Sequence, residues 1–233
     1  IANSGIWKNT TATDTYITVS ASNSVNADGK TYVGYFFAGG ESTAATASSI
    51  DYSGAGRTYT TTSSSDFSFG TGDFTIECWS RHHTDYNNGV FQLSTSNGGL
   101  STGGSNTLAT AYNGSCWHSY GANTTFNSPN MVVSQGSWHH VAMVRHNSVL
   151  KLYIDGNQVS SIADTVNYTC TYINIGGYYT TSFLLNGDIS NFRVVKGTAV
   201  YTSSFKPPTQ PLTNISGTVL LCNNDSTNNE GST

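Results

Sequence analysis

Trp138-His139-His140-Val141-Ala142-Met143-Val144-Arg145-His146-Asn147-Ser148-Val149-Leu150-Lys151-Leu152-Tyr153-Ile154-Asp155-Gly156-Asn157-Gln158-Val159 spells out a β-meander. His139 to Arg145 is a valine-rich run suited to a pleated, half-buried surface. His146-Asn147-Ser148 interrupts it, and Val149 to Ile154 resumes it with Leu150, Leu152 and Ile154 alternating about Lys151 and Tyr153. Asp155-Gly156 then supplies a two-residue turn of type I′, which needs positive φ at both positions, and Asn157-Gln158-Val159 leads back. Working outward, further strand signals lie at Tyr16–Ser20, Thr31–Phe37, Asp73–Trp79, Gly89–Leu93 and Ile189–Val195, punctuated by turn residues. No 12-residue window keeps an apolar stripe at helical spacing between Gly or Pro breaks, so no long helix is expected.

Composition agrees. Charged residues are 9% of the 233, against about 25% in ordinary globular domains, and Glu and Lys are scarce. The net charge of -4 is spread without runs, which offers no basic stripe for nucleic acid. No apolar stretch approaches the roughly 20 residues of a spanning helix, so no membrane insertion is expected. The chain begins at Ile1, and is read as a piece of something longer. Three parts are expected: an N-terminal β segment over 1–46, ending in a Ser42–Ser49 linker; a main domain over 47–222; and a polar, disordered tail over 223–233. Cys78, Cys116, Cys170 and Cys222 include no C-x-x-C pair, so neither a zinc nor a redox motif is read. Two alternatives stay open for them: one or two disulfides, with Cys116–Cys170 the pair to test, or buried free thiols.

Five fragments, in order, resemble the laminin G-like jelly rolls of the concanavalin A-like lectin/glucanase superfamily. They are Ser49-Ile50-Asp51-Tyr52-Ser53-Gly54-Ala55-Gly56, Phe69 through Trp79 (FGTGDFTIECW), Trp138-His139-His140-Val141-Ala142, Leu152-Tyr153-Ile154-Asp155-Gly156, and Asn186 through Val194 (NGDISNFRV). The resemblance implies an all-β, two-sheet antiparallel jelly-roll sandwich with a small N-terminal β extension. The ending from Val195 to Pro208, with Pro211-Leu212 and Leu220-Leu221-Cys222, is similar to a subgroup found in tail fibres and virion surface proteins of phages, notably those infecting cyanobacteria. That implies a location on a virion surface or otherwise outside the cell. It makes the expected partners host cell-surface polysaccharide and other virion proteins, with a homo-oligomer open.

Retaining glucanases need two carboxylates about 5 to 5.5 Å apart. Here the glutamates are Glu41, Glu77 and Glu230, and no strand carries two acids with same-face spacing, so no catalytic residue is assigned. No G-x-S-x-G elbow marks a Ser-His-Asp triad. His82-His83 and His139-His140 are strand neighbours that point to opposite faces, which keeps them from converging on zinc. Many laminin G-like domains carry calcium. The resemblance leaves Asp51 and Asp188 as its ligands, while Arg57 and Ser190 stand where acids often do.

Sugar recognition combines an aromatic face with Asn, Asp or His groups for hydroxyls. Candidate residues are Asp85, Tyr86 and Asn87; Trp117, His118 and Tyr120; and Tyr178 and Tyr179. The alternative for Trp117 and Tyr120 is packing inside the sandwich. The function expected is a non-enzymatic glycan-binding or adhesion module of a phage surface protein. The competing expectation is a decoration protein of a capsid or tail whose jelly roll contacts other virion subunits.

Overall fold

A computed structural model describes residues 43–46, 48–53, 59–84, 88–96, 106–131, 133–177 and 183–224. The expected strands at Tyr16–Ser20 and Thr31–Phe37 lie outside these. A four-residue helix, α1 (Thr43–Thr46), precedes β1 (Ile50–Asp51) and β2 (Tyr59–Thr60). There follow β3 (Phe74–His82), β4 (Asn88–Ser94), β5 (Leu108–Tyr112), β6 (Trp117–Gly121) and β7 (Thr124–Thr125). The remaining strands are β8 (Trp138–His146), β9 (Val149–Ile154), β10 (Asn157–Ala163), β11 (Tyr172–Ile175), β12 (Gly187–Lys196) and β13 (Thr218–Cys222). One sheet runs β1-β12-β3-β8-β9-β10 with β13 also on β12, the other β2-β11-β4-β5-β6-β7, and their pairings are antiparallel. This is the two-sheet sandwich expected.

Strand alternation builds the core. Phe74, Ile76 and Cys78 of β3, Val141 and Met143 of β8, Leu150, Leu152 and Ile154 of β9, and Phe192 and Val194 of β12 face the second sheet. It answers with Val90, Phe91, Leu93, Leu108, Tyr112, Trp117, Ile173 and Ile175. Each such side chain contributes roughly 1.5–3 kcal/mol of burial. Both turns of the meander take the geometry the sequence requires. Asn147 and Ser148 have φ of 49° and 60°, and Asp155 and Gly156 have 50° and 76°. Gly156 is needed twice over, because a Cβ there would sit 1.8 Å from the Phe205 carbonyl oxygen.

The outward residues of β3 are buried as well, which accounts for a strand that is apolar or sealed along nearly its whole length. A strap over 197–213 crosses the outer face of the seven-stranded sheet. Val200 N donates to Thr75 Oγ1 at 2.9 Å, Lys151 Nζ to the Thr202 carbonyl at 2.8 Å, and Phe205 N to the Gly156 carbonyl at 2.9 Å. Tyr201 and Phe205 stack at 3.6 Å and pack on Ala142, Val144 and Tyr153. Beneath them lies a sealed carboxylate. Glu77 Oε1 accepts Arg193 Nε at 2.9 Å and Nη2 at 2.5 Å, while Oε2 accepts the Tyr201 hydroxyl at 2.7 Å and meets His140 Nε2 at 3.2 Å. Burial alone would raise the Glu77 carboxyl, but His140, Arg193 and Tyr201 together outweigh it and hold it below the usual range. A second buried cation, Arg145, closes one end of the sandwich. It donates to the carbonyls of Gly70, Gly72 and Val166 and lies 3.6 Å from Asp164.

Two expectations are corrected. The Ser42–Ser49 linker instead contains α1, whose Ala44 and Ala45 are fully buried against Trp79 and Trp138; small side chains let a helix approach the sheet closely. Of the two alternatives for the cysteines, the structure has the buried free thiols, with no Cys116–Cys170 bond; the Cys170 thiol bonds the Asn106 carbonyl at 2.9 Å. Burial pushes the thiols of Cys170 and Cys222 up to about 12, so they stay protonated. Asn223, expected in the polar tail, is instead buried, and its carbonyl accepts Asn191 N at 2.7 Å; residues 225–233 lie outside the described set.

Glu77→Gln leaves the Arg193 guanidinium buried without its counter-charge and is expected to cost about 3–5 kcal/mol in urea unfolding. Because the folded carboxyl lies below its unfolded value of about 4.3, its contribution is present above that pH and lost as pH falls through the folded value. The stability gap between wild type and Glu77→Gln should therefore narrow on acidification below about pH 4. Ser148→Gly removes left-handed strain from a side chain at φ 60° and should gain about 0.5–1 kcal/mol by the same measurement. A loss there would contradict the turn assignment.

Candidate functional site

The two aspartates read as calcium ligands are register partners, Asp51 on β1 and Asp188 on β12. The row continues through Arg81 on β3 to Trp138 on β8. Asp188 Oδ2 accepts Arg81 Nε at 2.9 Å and meets His83 Nε2 at 2.7 Å, and the Arg81 guanidinium lies 5.0 Å over the Trp138 ring. Asp51 Oδ1 accepts Ser53 N at 2.7 Å. Calcium takes six to eight oxygen ligands, whereas here a fixed cation already satisfies the buried carboxylate. Among the described residues no group of three or more His, Cys, Asp or Glu side chains is arranged to hold a metal. The strand register thus brings Asp51 and Asp188 together, with Asp188 already engaged by Arg81 and His83.

Other chemistries fare similarly. Ser53 Oγ lies 2.9 Å from His83 Nδ1, which gives a Ser–His–Asp sequence with Asp188. In hydrolases the aspartate charge supports the imidazolium that forms; the Asp188 charge is already matched by Arg81. Glu77 is sealed in its ion pair and offers no glycosidase acid. The histidines diverge as strand alternation requires. His82 enters the core, ringed by Tyr112 and Trp117 at 5.5 and 5.3 Å. Burial, then His139 and His83, lower its pKa to about 3, so it is neutral. His139 Nδ1 instead meets Asp155 at 2.7 Å, and His140 joins Glu77.

Strand β6 divides the aromatic candidates. Trp117 is fully buried in the sandwich core, so it cannot touch a ligand directly. His118 and Tyr120 fall on the opposite, outer face of the six-stranded sheet and are half-buried. Ala109 stands opposite Tyr120 and Ala111 opposite His118, at cross-strand distances of about 4.5–5.5 Å. The two alanines make a floor on which Tyr120 and Phe183 pack. Gln92, opposite Ala109, and Asn174, opposite Gln92, extend the row with amides. Burial lowers the His118 pKa, which keeps its imidazole neutral, with one donor and one acceptor. Ala109, Ala111, Gln92 and Asn174 are themselves buried, so what this part of the face offers to a ligand is the half-buried Tyr120 ring and the His118 imidazole. Ala109, Ala111, Gln92 and Phe183 were not anticipated; the alternation in Leu108-Ala109-Thr110-Ala111-Tyr112 carried the signal for the floor. Asp85, Tyr86, Asn87, Tyr178 and Tyr179 lie outside the described residues.

A search of curated proteins returned no significant match. Among solved structures, a putative carbohydrate binding protein from Bacteroides ovatus is similar with a TM-score of 0.52 at 15% identity, over 68% of this chain and 47% of that one. The LG4-5 domains of the mouse laminin alpha1 chain give 0.48 at 15%, over 69% and 45%. A carbohydrate-binding domain (CBM40) of the Ruminococcus gnavus IT-sialidase, bound to α2,3 sialyllactose, gives 0.44 at 12%, over 57% and 79%. The chain spans about half the length of the first two, and at such identity the first likeness speaks to fold alone. Residues 53–200, well over half the chain, match the concanavalin A-like lectin/glucanases superfamily, and to that superfamily this chain belongs.

Proposed function

We propose that this chain is a non-enzymatic glycan-binding module, displayed on the surface of a phage particle and directed at carbohydrate on the host cell. The observation that carries the binding reading is the outer face of β5 and β6, where His118 and Tyr120 stand side by side over Ala109 and Ala111. A pyranose presents one apolar face and a rim of hydroxyls. Tyr120 suits the first and the neutral His118 the second, with no ionised group required. The superfamily is rich in lectins, and the matched Bacteroides structure is described as a putative carbohydrate binding protein. The virion location rests on the likeness of the Val195–Pro208 ending to phage surface proteins. The competing role, a decoration protein, would bury this same face in a neighbouring subunit.

The test is a glycan array followed by titration calorimetry with extracted host-type polysaccharide. Saturable binding is expected, and Tyr120→Ala should weaken it by roughly tenfold, the equivalent of about 1.4 kcal/mol, while the chain stays folded with a somewhat lower urea midpoint because the packing on Ala109 and Ala111 is lost. Since Asp188 is held by Arg81, a chelator should leave the affinity unchanged. Absence of binding to any array member would overturn the lectin reading in favour of decoration.

A further inference from the structure

The two sheets part at one edge of the sandwich, where β2 ends one sheet and β13 lies at the margin of the other. Between them is a cavity of about 220 Å³ lined by Tyr59, Thr60, Thr61, Thr62, Ser64, Asp66, Phe67, Val219 and Leu220. Its floor is apolar, with Phe67 and Leu220 each 4% exposed. Its walls carry hydroxyls. At its lip, Tyr59 is 41% exposed, and among the described residues only Ile215 is another large apolar side chain so open. A gap left merely by imperfect sheet contact calls for neither an aromatic ring turned to solvent nor a carboxylate at its margin.

We propose that this cleft is a second saccharide site, taking a single uncharged pyranose ring, and the proposal rests on the glycan-binding reading above. Size sets the occupant: pockets for drug-sized molecules run from about 300 Å³ upward, so 220 Å³ admits one ring. Chemistry sets its class. Tyr59 supplies a stacking face for the apolar side of the sugar. The Asp66 carboxylate accepts Ser64 Oγ at 2.9 Å through Oδ2, and an ionised carboxylate has about four acceptor sites, which leaves capacity for two vicinal hydroxyls. The carboxylate repels sialic or uronic acids; the Thr60 hydroxyl donates to Asn174 Oδ1 at 2.6 Å and so can only accept, while Thr61 Oγ1 accepts Ile173 N at 3.2 Å and keeps its proton to donate. Local structure holds the acid in place: Asp66 N donates to Ser64 Oγ at 3.1 Å, and Lys196 Nζ anchors the same turn through the Ser65 carbonyl at 2.9 Å. Ser64 N is fixed in turn to the Thr171 carbonyl at 2.8 Å.

The experiment is a 1H–15N correlation titration of the full chain with the methyl glycosides of glucose, galactose, mannose and N-acetylglucosamine, and with glucuronic acid as the anionic control. It is run on wild type, Tyr59→Ala, Asp66→Asn and Tyr120→Ala, with dispersion of each spectrum showing that the variant is folded. Shifts at Thr61, Ser64, Asp66, Val219 and Leu220 with a neutral glycoside are expected. They should be retained in Tyr120→Ala, be about tenfold weaker in Tyr59→Ala or Asp66→Asn, and be absent with glucuronic acid. Shifts confined to β5 and β6 would overturn the cleft and leave the glycan reading standing. Silence with every sugar, together with an empty glycan array, would overturn both.

Discussion

A charge that cannot reach water organises this molecule. Glu77 lies on the central strand of the larger sheet with no exposed side-chain surface, and Arg193, His140 and Tyr201 supply its compensation. A lone buried carboxylate is expensive enough that it would protonate or the structure would open. The three partners come from β12, β8 and the strap, so satisfying one carboxylate fixes how three separate segments meet. The strap is thereby committed to the outer face of the seven-stranded sheet, and α1 covers the adjoining corner through Ala44 and Ala45. A sandwich ordinarily presents two outer faces. This one has a large part of the first closed, and on the second Ala109, Ala111, Gln92 and Asn174 are buried too, so recognition falls to the half-buried His118 and Tyr120 of β6 and to the edge between sheets.

Local chemistry made the meander legible. Both its turns demand positive φ; Asp155-Gly156 announces one of them and Asn147 part of the other, with strands on either side that pair without any distant partner. By contrast β5, β6, β11 and β13 escaped notice. Leu108-Ala109-Thr110-Ala111-Tyr112 is too rich in small residues to stand out by β propensity, and Tyr172-Ile173-Asn174-Ile175 is short. Their strand character comes from the neighbours they pair with. Nothing local distinguishes α1 from a linker either, because Thr43-Ala44-Ala45-Thr46 gains its stability by touching Trp79 and Trp138, far away in sequence.

The site was half legible for a similar reason. In Trp117-His118-Ser119-Tyr120 the period of two forbids all three rings from sharing a face, and the largest apolar body takes the core. That separation could have been drawn from the sequence. The pairing of Asp188 could not, since Arg81 lies 107 residues away in the chain and meets it only through the β3–β12 register. The cysteines teach the same point: residue types left disulfides and buried thiols both open, and the fold has Cys116 and Cys170 as separate buried thiols.

Among the described residues, five carboxylates are paired within the chain. Asp73, Glu77, Asp155, Asp164 and Asp188 each lie against a histidine or arginine, in a chain whose charged residues are only 9% of the total. Long-range steering by a field is weak for such a surface, and what it lacks in charge it holds in rings, amides and hydroxyls. Contacts of that kind depend on shape and short-range hydrogen bonds, so salt screens them little. The outer face of β5 and β6 has this character, whereas the cleft at β2 adds one carboxylate, Asp66, at its margin. Ion pairing within the chain thus stabilises the sandwich and leaves rings and hydroxyls, with a single acceptor carboxylate, to meet uncharged carbohydrate.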